Sequence, residues 1–178
     1  MRYPANLSLL RRASLHRSAA VAALLAIAAT TPGNAATSTT TFAVTATVLS
    51  GCTVAATDLA FGDYSSTAPT PTDATNTLIA TCSDGITYTL SGDAGTGAGA
   101  TVAARSMIGA VLGGKLNYLL YTTASHTTLW GDGTLSTVTF GGTSTLVPQT
   151  YTVYGRIPIG QHSAAGLYAD LVTVTLTF

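Results

Sequence analysis

Two stretches of the chain alternate strictly between apolar and polar positions. Phe42-Ala43-Val44-Thr45-Ala46-Thr47-Val48 puts Phe42, Val44, Ala46 and Val48 on one side. At the other end of the sequence, Val172, Val174, Leu176 and Phe178 share one side, with Thr173, Thr175 and Thr177 opposite. A period of two is that of a half-buried strand. Between these stretches the pattern predicts short strands near 58–61, 77–82, 86–91, 116–122, 128–130, 136–140 and 150–158. Glycine-rich turns separate them: Asp84-Gly85, Gly113-Gly114, Gly131-Asp132-Gly133, Gly141-Gly142 and Gly160. Such a series predicts an antiparallel sandwich or barrel. Residues 65–76 and 92–101 read as loops, and 103–110 as a short helix.

Charge changes the picture at the beginning of the chain. Of seven basic residues in 178, four (Arg2, Arg11, Arg12, Arg17) precede an apolar run at 19–29. That run is shorter than the roughly 20 residues a membrane helix needs, and Thr30-Thr31-Pro32 follow it. Gly33-Asn34-Ala35 then offers small residues at a cleavage site. The reading is a cleaved signal peptide at 1–35, an N-terminal arm at 36–48 and a β-sandwich domain at 49–178. No second apolar run of spanning length follows, so no membrane span is expected in the mature chain. Beyond the leader, Arg105, Lys115 and Arg156 face seven aspartates and no glutamate, a net charge of −4. Nucleic-acid binding needs clustered cations and is excluded as a function class.

Cys52 and Cys82 stand 30 residues apart. In an exported chain the default is one disulfide. A metal pair or a reactive thiol would need further ligands at metal spacing, and none are present.

Catalytic chemistry finds little footing. Gly95-Thr96-Gly97-Ala98-Gly99-Ala100 loosely matches a dinucleotide fingerprint, but no acidic residue follows at the required distance, so it reads as a loop. The aspartates (Asp58, Asp63, Asp73, Asp84, Asp93, Asp132, Asp170) stand singly, without calcium-loop spacing. His126 and His162 read as loop residues, and there is no G-x-S-x-G elbow. Tyr118, Tyr121, Tyr151, Tyr154, Tyr168 and Trp130 could form a sugar-binding face, but aromatics in strands more often pack. No catalytic, cofactor or metal site is expected.

The two alternating ends suggest a relation. A final strand with no residue after Phe178 is expected to leave an open sheet edge and an apolar groove. The segment at 42–48 can add as a strand to the edge of another molecule. Burying Phe42, Val44 and Val48 would contribute roughly 5–9 kcal/mol before ordering costs. Head-to-tail pairing of this kind makes a filament. The same pattern equally fits a first strand within its own sandwich.

An ordered set of motifs resembles the spore coat protein U domain family. It begins with Phe42-x-Val44-x-Ala46-x-Val48-x-x-Gly51-Cys52-Thr53-Val54, Leu59-x-Phe61-Gly62-x-Tyr64, and Cys82 with Gly85 and Tyr88. Arg105-x-Met107, Leu116-x-Tyr118-x-Leu120-Tyr121, Trp130-Gly131-Asp132-Gly133 and Tyr154-Gly155-Arg156-x-Pro158 follow. The set ends with Gly166-x-Tyr168-x-Asp170-x-Val172-x-Val174-x-Leu176-x-Phe178.

The resemblance implies an all-β, incomplete immunoglobulin-like antiparallel sandwich of the pilin type with an N-terminal donor strand. It implies a non-enzymatic pilus or fimbrial subunit assembled by the chaperone–usher route, supporting adhesion or biofilm formation. The alternative is a self-complemented secreted spore-coat or carbohydrate-binding protein. Implied partners are a periplasmic pilus chaperone, an outer-membrane usher and identical or related subunits in a linear polymer. Implied location is the periplasm in transit, then the cell surface. Carried onto this chain, Phe42, Val44, Ala46 and Val48 match the donor strand, and Cys52–Cys82 the family disulfide. Val172, Val174, Leu176 and Phe178 match the groove-bordering strand that a chaperone would hold. Ala46 departs from the pattern, being small where a donor usually carries a larger plug.

Overall fold

A computed structural model describes Gly33 and residues 35–110 and 113–178. The signal-peptide reading of 1–35 therefore falls almost wholly outside the described residues. The chain divides into two units after Thr45. In the first, residues 35–45 carry no strand or helix, and Phe42 and Val44 are exposed. The second, Ala46–Phe178, holds every strand of the described residues.

Nine strands occur among the described residues, in order: β1 (Cys52–Ala56), β2 (Thr72–Cys82), β3 (Thr87–Gly92), β4 (Arg105–Gly109), β5 (Lys115–Tyr121), β6 (Phe140–Thr143), β7 (Gln149–Ile157), β8 (Tyr168–Ala169) and β9 (Val174–Thr177). They build a six-stranded sheet, β1-β2-β7-β5-β4-β8, and a three-stranded sheet, β6-β3-β9. Every pairing between these strands is antiparallel. The all-β antiparallel architecture is the expected one.

Several local expectations are corrected. Residues 103–110, rich in good helix formers, supply strand β4 instead, because pairing of Arg105–Ile108 with Lys115–Tyr118 overrides propensity. Residues 58–61 form no strand. Around 128–130 and 136–140 the chain makes only isolated bridges, Tyr121↔Leu129 and Trp130↔Val138, until β6 begins at Phe140. The loop read at 65–76 gives way to β2 at Thr72. Strands β1 and β8 were not anticipated.

Inward-facing residues of both sheets meet in the core. Leu78, Leu116, Tyr118, Leu120, Trp130, Val153 and Ile157 form the larger cluster. Ala80, Cys82, Tyr88 and Leu90 form a second. β2 runs the length of the domain, from Thr72 beside Ile157 at one pole to Cys82 beside Cys52 at the other. At roughly 3.4 Å per residue its 11 residues cover about 34 Å. The Cys52–Cys82 disulfide closes the second pole.

The final segment, 167–178, belongs to both sheets. Its first part, β8, pairs with β4 in the larger sheet, and its second, β9, pairs with β3 in the smaller. Burial alternates throughout: Tyr168, Asp170, Val172, Val174 and Leu176 turn inward, and Leu167, Ala169, Leu171, Thr173, Thr175 and Thr177 outward.

Candidate functional site

Among the described residues, β8 ends the larger sheet with β4 as its single strand neighbour, and β9 ends the smaller with β3 as its single neighbour. Both are therefore edge strands among the described residues. Opposite them lie β1, itself an edge strand paired only with β2, and the irregular chain from Thr57 to Ser66. As two lips they flank a cleft at the Tyr168 pole, and they come close together at the disulfide pole. At the disulfide pole Cys52 and Leu176 pack against the same cluster of Ala80, Cys82, Tyr88 and Leu90. At the opposite pole Phe61 and Tyr64 from one lip and Tyr168 from the other line a cleft of about 820 Å³. The lips therefore run in opposite directions. Met107, Leu116 and Ile157 also line this cleft, so it reaches the inner face of the larger sheet.

Specific contacts hold each lip. On the first, the Tyr64 hydroxyl accepts from the Gln161 amide (2.8 Å) and lies within donating distance of the Pro158 carbonyl (3.2 Å). Phe61 packs edge-on against Tyr118, with ring centroids 5.9 Å apart. Gly155 makes this packing possible: a Cβ there would lie 2.8 Å from Phe61 Cζ and 2.9 Å from Leu59 Cδ1.

The second lip is pinned where it passes between sheets. Asp170 Oδ2 accepts from the Tyr118 hydroxyl at 2.6 Å. Asp170 Oδ1 accepts from the Thr96 amide (2.6 Å), the Thr96 hydroxyl (2.8 Å) and the Leu171 amide (2.8 Å). Burial, and then the bond to Asp170, push the Tyr118 phenol well above its ordinary range. A little further on, Asp93 Oδ1 accepts from the amides of Gly95 and Thr173, both at 2.9 Å. Burial opposes ionisation of Asp93, but these bonds, with Arg105 nearby, hold its carboxyl below the ordinary value.

Arg105 organises the loop that carries Asp93 and Thr96. Its side chain is almost fully buried. Its Nε donates to the Asp93 carbonyl (2.8 Å), Nη1 to those of Val102 (2.8 Å) and Trp130 (3.1 Å), and Nη2 to that of Gly92 (3.2 Å). Burial lowers its pKa. The guanidinium also lies 5.9 Å from the Trp130 ring centroid. A buried cation held by carbonyl dipoles fixes backbone geometry; no substrate chemistry follows from it.

The residues singled out from sequence fall as follows. Val172, Val174 and Leu176 are half-buried along the second lip, and Phe178 is exposed at its end. Phe42, Val44, Ala46 and Val48 lie outside any strand and are exposed. Cys52 and Cys82 are bonded to each other as well as opposite in register. Tyr118, Tyr121 and Trp130 are buried, so the six aromatics form no common exposed face. The glycine run at 95–100 opens no helix; β4 follows it. His126 is half-buried between the Tyr121 and Tyr154 rings, with Nε2 3.8 Å from Asp73 Oδ1. Among the described residues no three His, Cys, Asp or Glu side chains gather as a metal site. No helix among them is long and apolar enough to cross a membrane.

Sequence reading missed the pinning residues Thr96, Tyr118 and Asp170, and the role of the lip at Leu59–Tyr64. One signal was present: Asp170 occupies an inward position within an otherwise apolar alternation, where a carboxylate needs partners.

Comparison with known proteins agrees with this architecture. The Spore Coat Protein U domain description matches residues 38–175. Protein U of Myxococcus xanthus is 35% identical over 82 residues, covering 46% of this chain and 45% of that protein. A similar fold occurs in a chain of the crystal structure of the CsuC–CsuE chaperone–tip adhesion subunit pre-assembly complex from archaic chaperone-usher Csu pili of Acinetobacter baumannii. That likeness has a TM-score of 0.54 and 23% identity, covering 74% of this chain and 41% of that one. The chain thus spans less than half the length of either relative. With the family description covering more than three quarters of its residues, the chain belongs to the spore coat protein U domain family.

Proposed function

We propose that this chain is a structural subunit of a surface pilus or fimbria, assembled by the chaperone–usher route through donor-strand exchange. The observation that supports the reading is the edge position of segment 167–178 among the described strands, beside a cleft that Phe61, Tyr64 and Tyr168 line. Unpaired backbone groups beside apolar surface are a template for an added strand. Phe42, Val44, Ala46 and Val48 have the alternation such a strand needs, and the exposure of Phe42, Val44 and Val48 supports their use by another molecule.

In this reading the exported chain first meets a periplasmic chaperone, which covers the groove along Val172, Val174, Leu176 and Phe178. At the outer-membrane usher the arm of another copy replaces the chaperone. Repetition gives a linear polymer at the cell surface, suited to adhesion or biofilm formation. No covalent chemistry is required; the driving force is burial of the arm's apolar side and pairing of two bare edges.

Deleting residues 36–48 tests the proposal. The deleted chain is expected to co-purify with its chaperone but to form no heat-dissociable polymers. Polymers that persist, or a monodisperse heat-stable monomer from the undeleted chain, would favour a self-complemented secreted protein instead.

A further inference from the structure

Strand exchange leaves open what else joins two copies. The arm is separated from Cys52 by only Leu49, Ser50 and Gly51. Gly51 is fixed at the disulfide pole, where its carbonyl accepts from the Ser83 amide at 2.9 Å. A copy whose arm is seated in a neighbour's groove therefore holds its own disulfide pole against that neighbour. An extended chain advances at most about 3.6 Å per residue, so the tether reaches little more than 10 Å.

The two poles carry different exposed apolar groups. At the disulfide pole the turn joining β6 and β7 presents Leu146 and Val147, 66% and 59% exposed. Ser144 anchors this turn, its hydroxyl donating to the Cys82 carbonyl (2.9 Å) and its amide to the Ile86 carbonyl (2.8 Å). Leu146 sits at φ 64°, a conformation unfavourable for a branched apolar residue. At the opposite pole Ile159 follows the end of β7 and is 52% exposed, and Leu167 precedes β8 and is 75% exposed. The Leu167 carbonyl is held by the Ala110 amide at 2.9 Å.

We infer that consecutive copies meet pole to pole, Leu146 and Val147 of one against Ile159 and Leu167 of the next, as a second interface beside the exchanged strand. The inference rests on the strand-exchange reading. The occupant is a second copy because the short tether brings it there. The contact joins unlike poles because only a heterologous contact repeats into a fibre; two like poles meeting would close into a pair. Neither apolar pair bears charge, so the contact dries without burying an ion.

The test is a full-length chain carrying both Val147→Cys and Ile159→Cys, assembled with its chaperone and usher. Polymers boiled without reductant are expected to run as a ladder of many copies that collapses to monomer on reduction. Val147→Cys alone should give no ladder. A double variant whose polymers boil to monomers while both thiols remain reactive overturns the inference and leaves strand exchange standing. So does a Val147→Cys chain that links efficiently into pairs. Inserting Gly-Ser-Gly-Ser between Val48 and Leu49 of the double variant should preserve polymers and abolish the ladder; an undiminished ladder also refutes the tether argument. If the unsubstituted chain never polymerises, strand exchange has failed and the pole contact falls with it.

Discussion

The Tyr118 hydroxyl donates to Asp170 Oδ2 at 2.6 Å, tying β5 to the point where the last segment leaves one sheet for the other. Three further donors converge on Asp170 Oδ1. Asp170→Asn keeps the size but trades charge-assisted hydrogen bonds for neutral ones and makes the Tyr118 hydroxyl an acceptor. It is expected to lower unfolding free energy by about 2–3 kcal/mol, whereas Tyr118→Phe should cost about 1 kcal/mol. Urea midpoints of the arm-deleted domain measure both, and equal losses would contradict this ranking.

Arg105 answers four backbone carbonyls from within the core. Lysine has the charge but not the planar fork, so Arg105→Lys leaves carbonyls unpaired. A loss of about 2–4 kcal/mol is expected, with broadened amide resonances for Gly92, Asp93 and Val102 in NMR spectra.

The disulfide joins register partners on β1 and β2 across a 30-residue separation. Without it β1 has only its ladder to β2, and the first lip loses its anchor. Replacing Cys52 and Cys82 together by alanine should cost about 3–4 kcal/mol. Chemical denaturation measures the loss, and reductant should then leave the variant's midpoint unchanged.

Acid should weaken the domain through Asp73. The Arg156 guanidinium donates to both its oxygens at 2.7 Å and holds its carboxyl below the ordinary value of 3.8. A depressed folded pKa means stabilisation that is complete above the unfolded pKa and fades as pH falls through the folded one. Asp73→Asn should therefore flatten the stability profile below about pH 4. At neutral pH it should cost no more than about 1 kcal/mol, because the pair is largely exposed. Thermal melts from pH 2 to 7 at low salt would show the two profiles converging in acid.

Period-two patterning found the strands whose inner residues are large. β2, β3, β5, β7 and β9 each alternate residues such as Leu78, Leu90, Tyr118, Val153 and Leu176 with polar partners. β1 escaped because Cys-Thr-Val-Ala-Ala is short and almost wholly exposed, held by the Cys82 bond and one neighbour. β4 was hidden because Ala103, Ala104, Met107 and Ala110 are residues that also suit a helix, and only its pairing with β5 decides between them. Strand β9 at Val174–Thr177 was legible as alternation late in the sequence. The opposing lip at Leu59–Tyr64 was not recognised as one, because its inward residues belong to irregular chain shaped by Gly155 and Gln161 far away in sequence.

The double membership of segment 167–178 has a mechanical consequence. It is laced to β4 near one end and to β3 near the other. Tension along the long axis of the domain loads those ladders in shear, so several bonds must rupture together. Force applied across the strands would instead open the same ladders bond by bond.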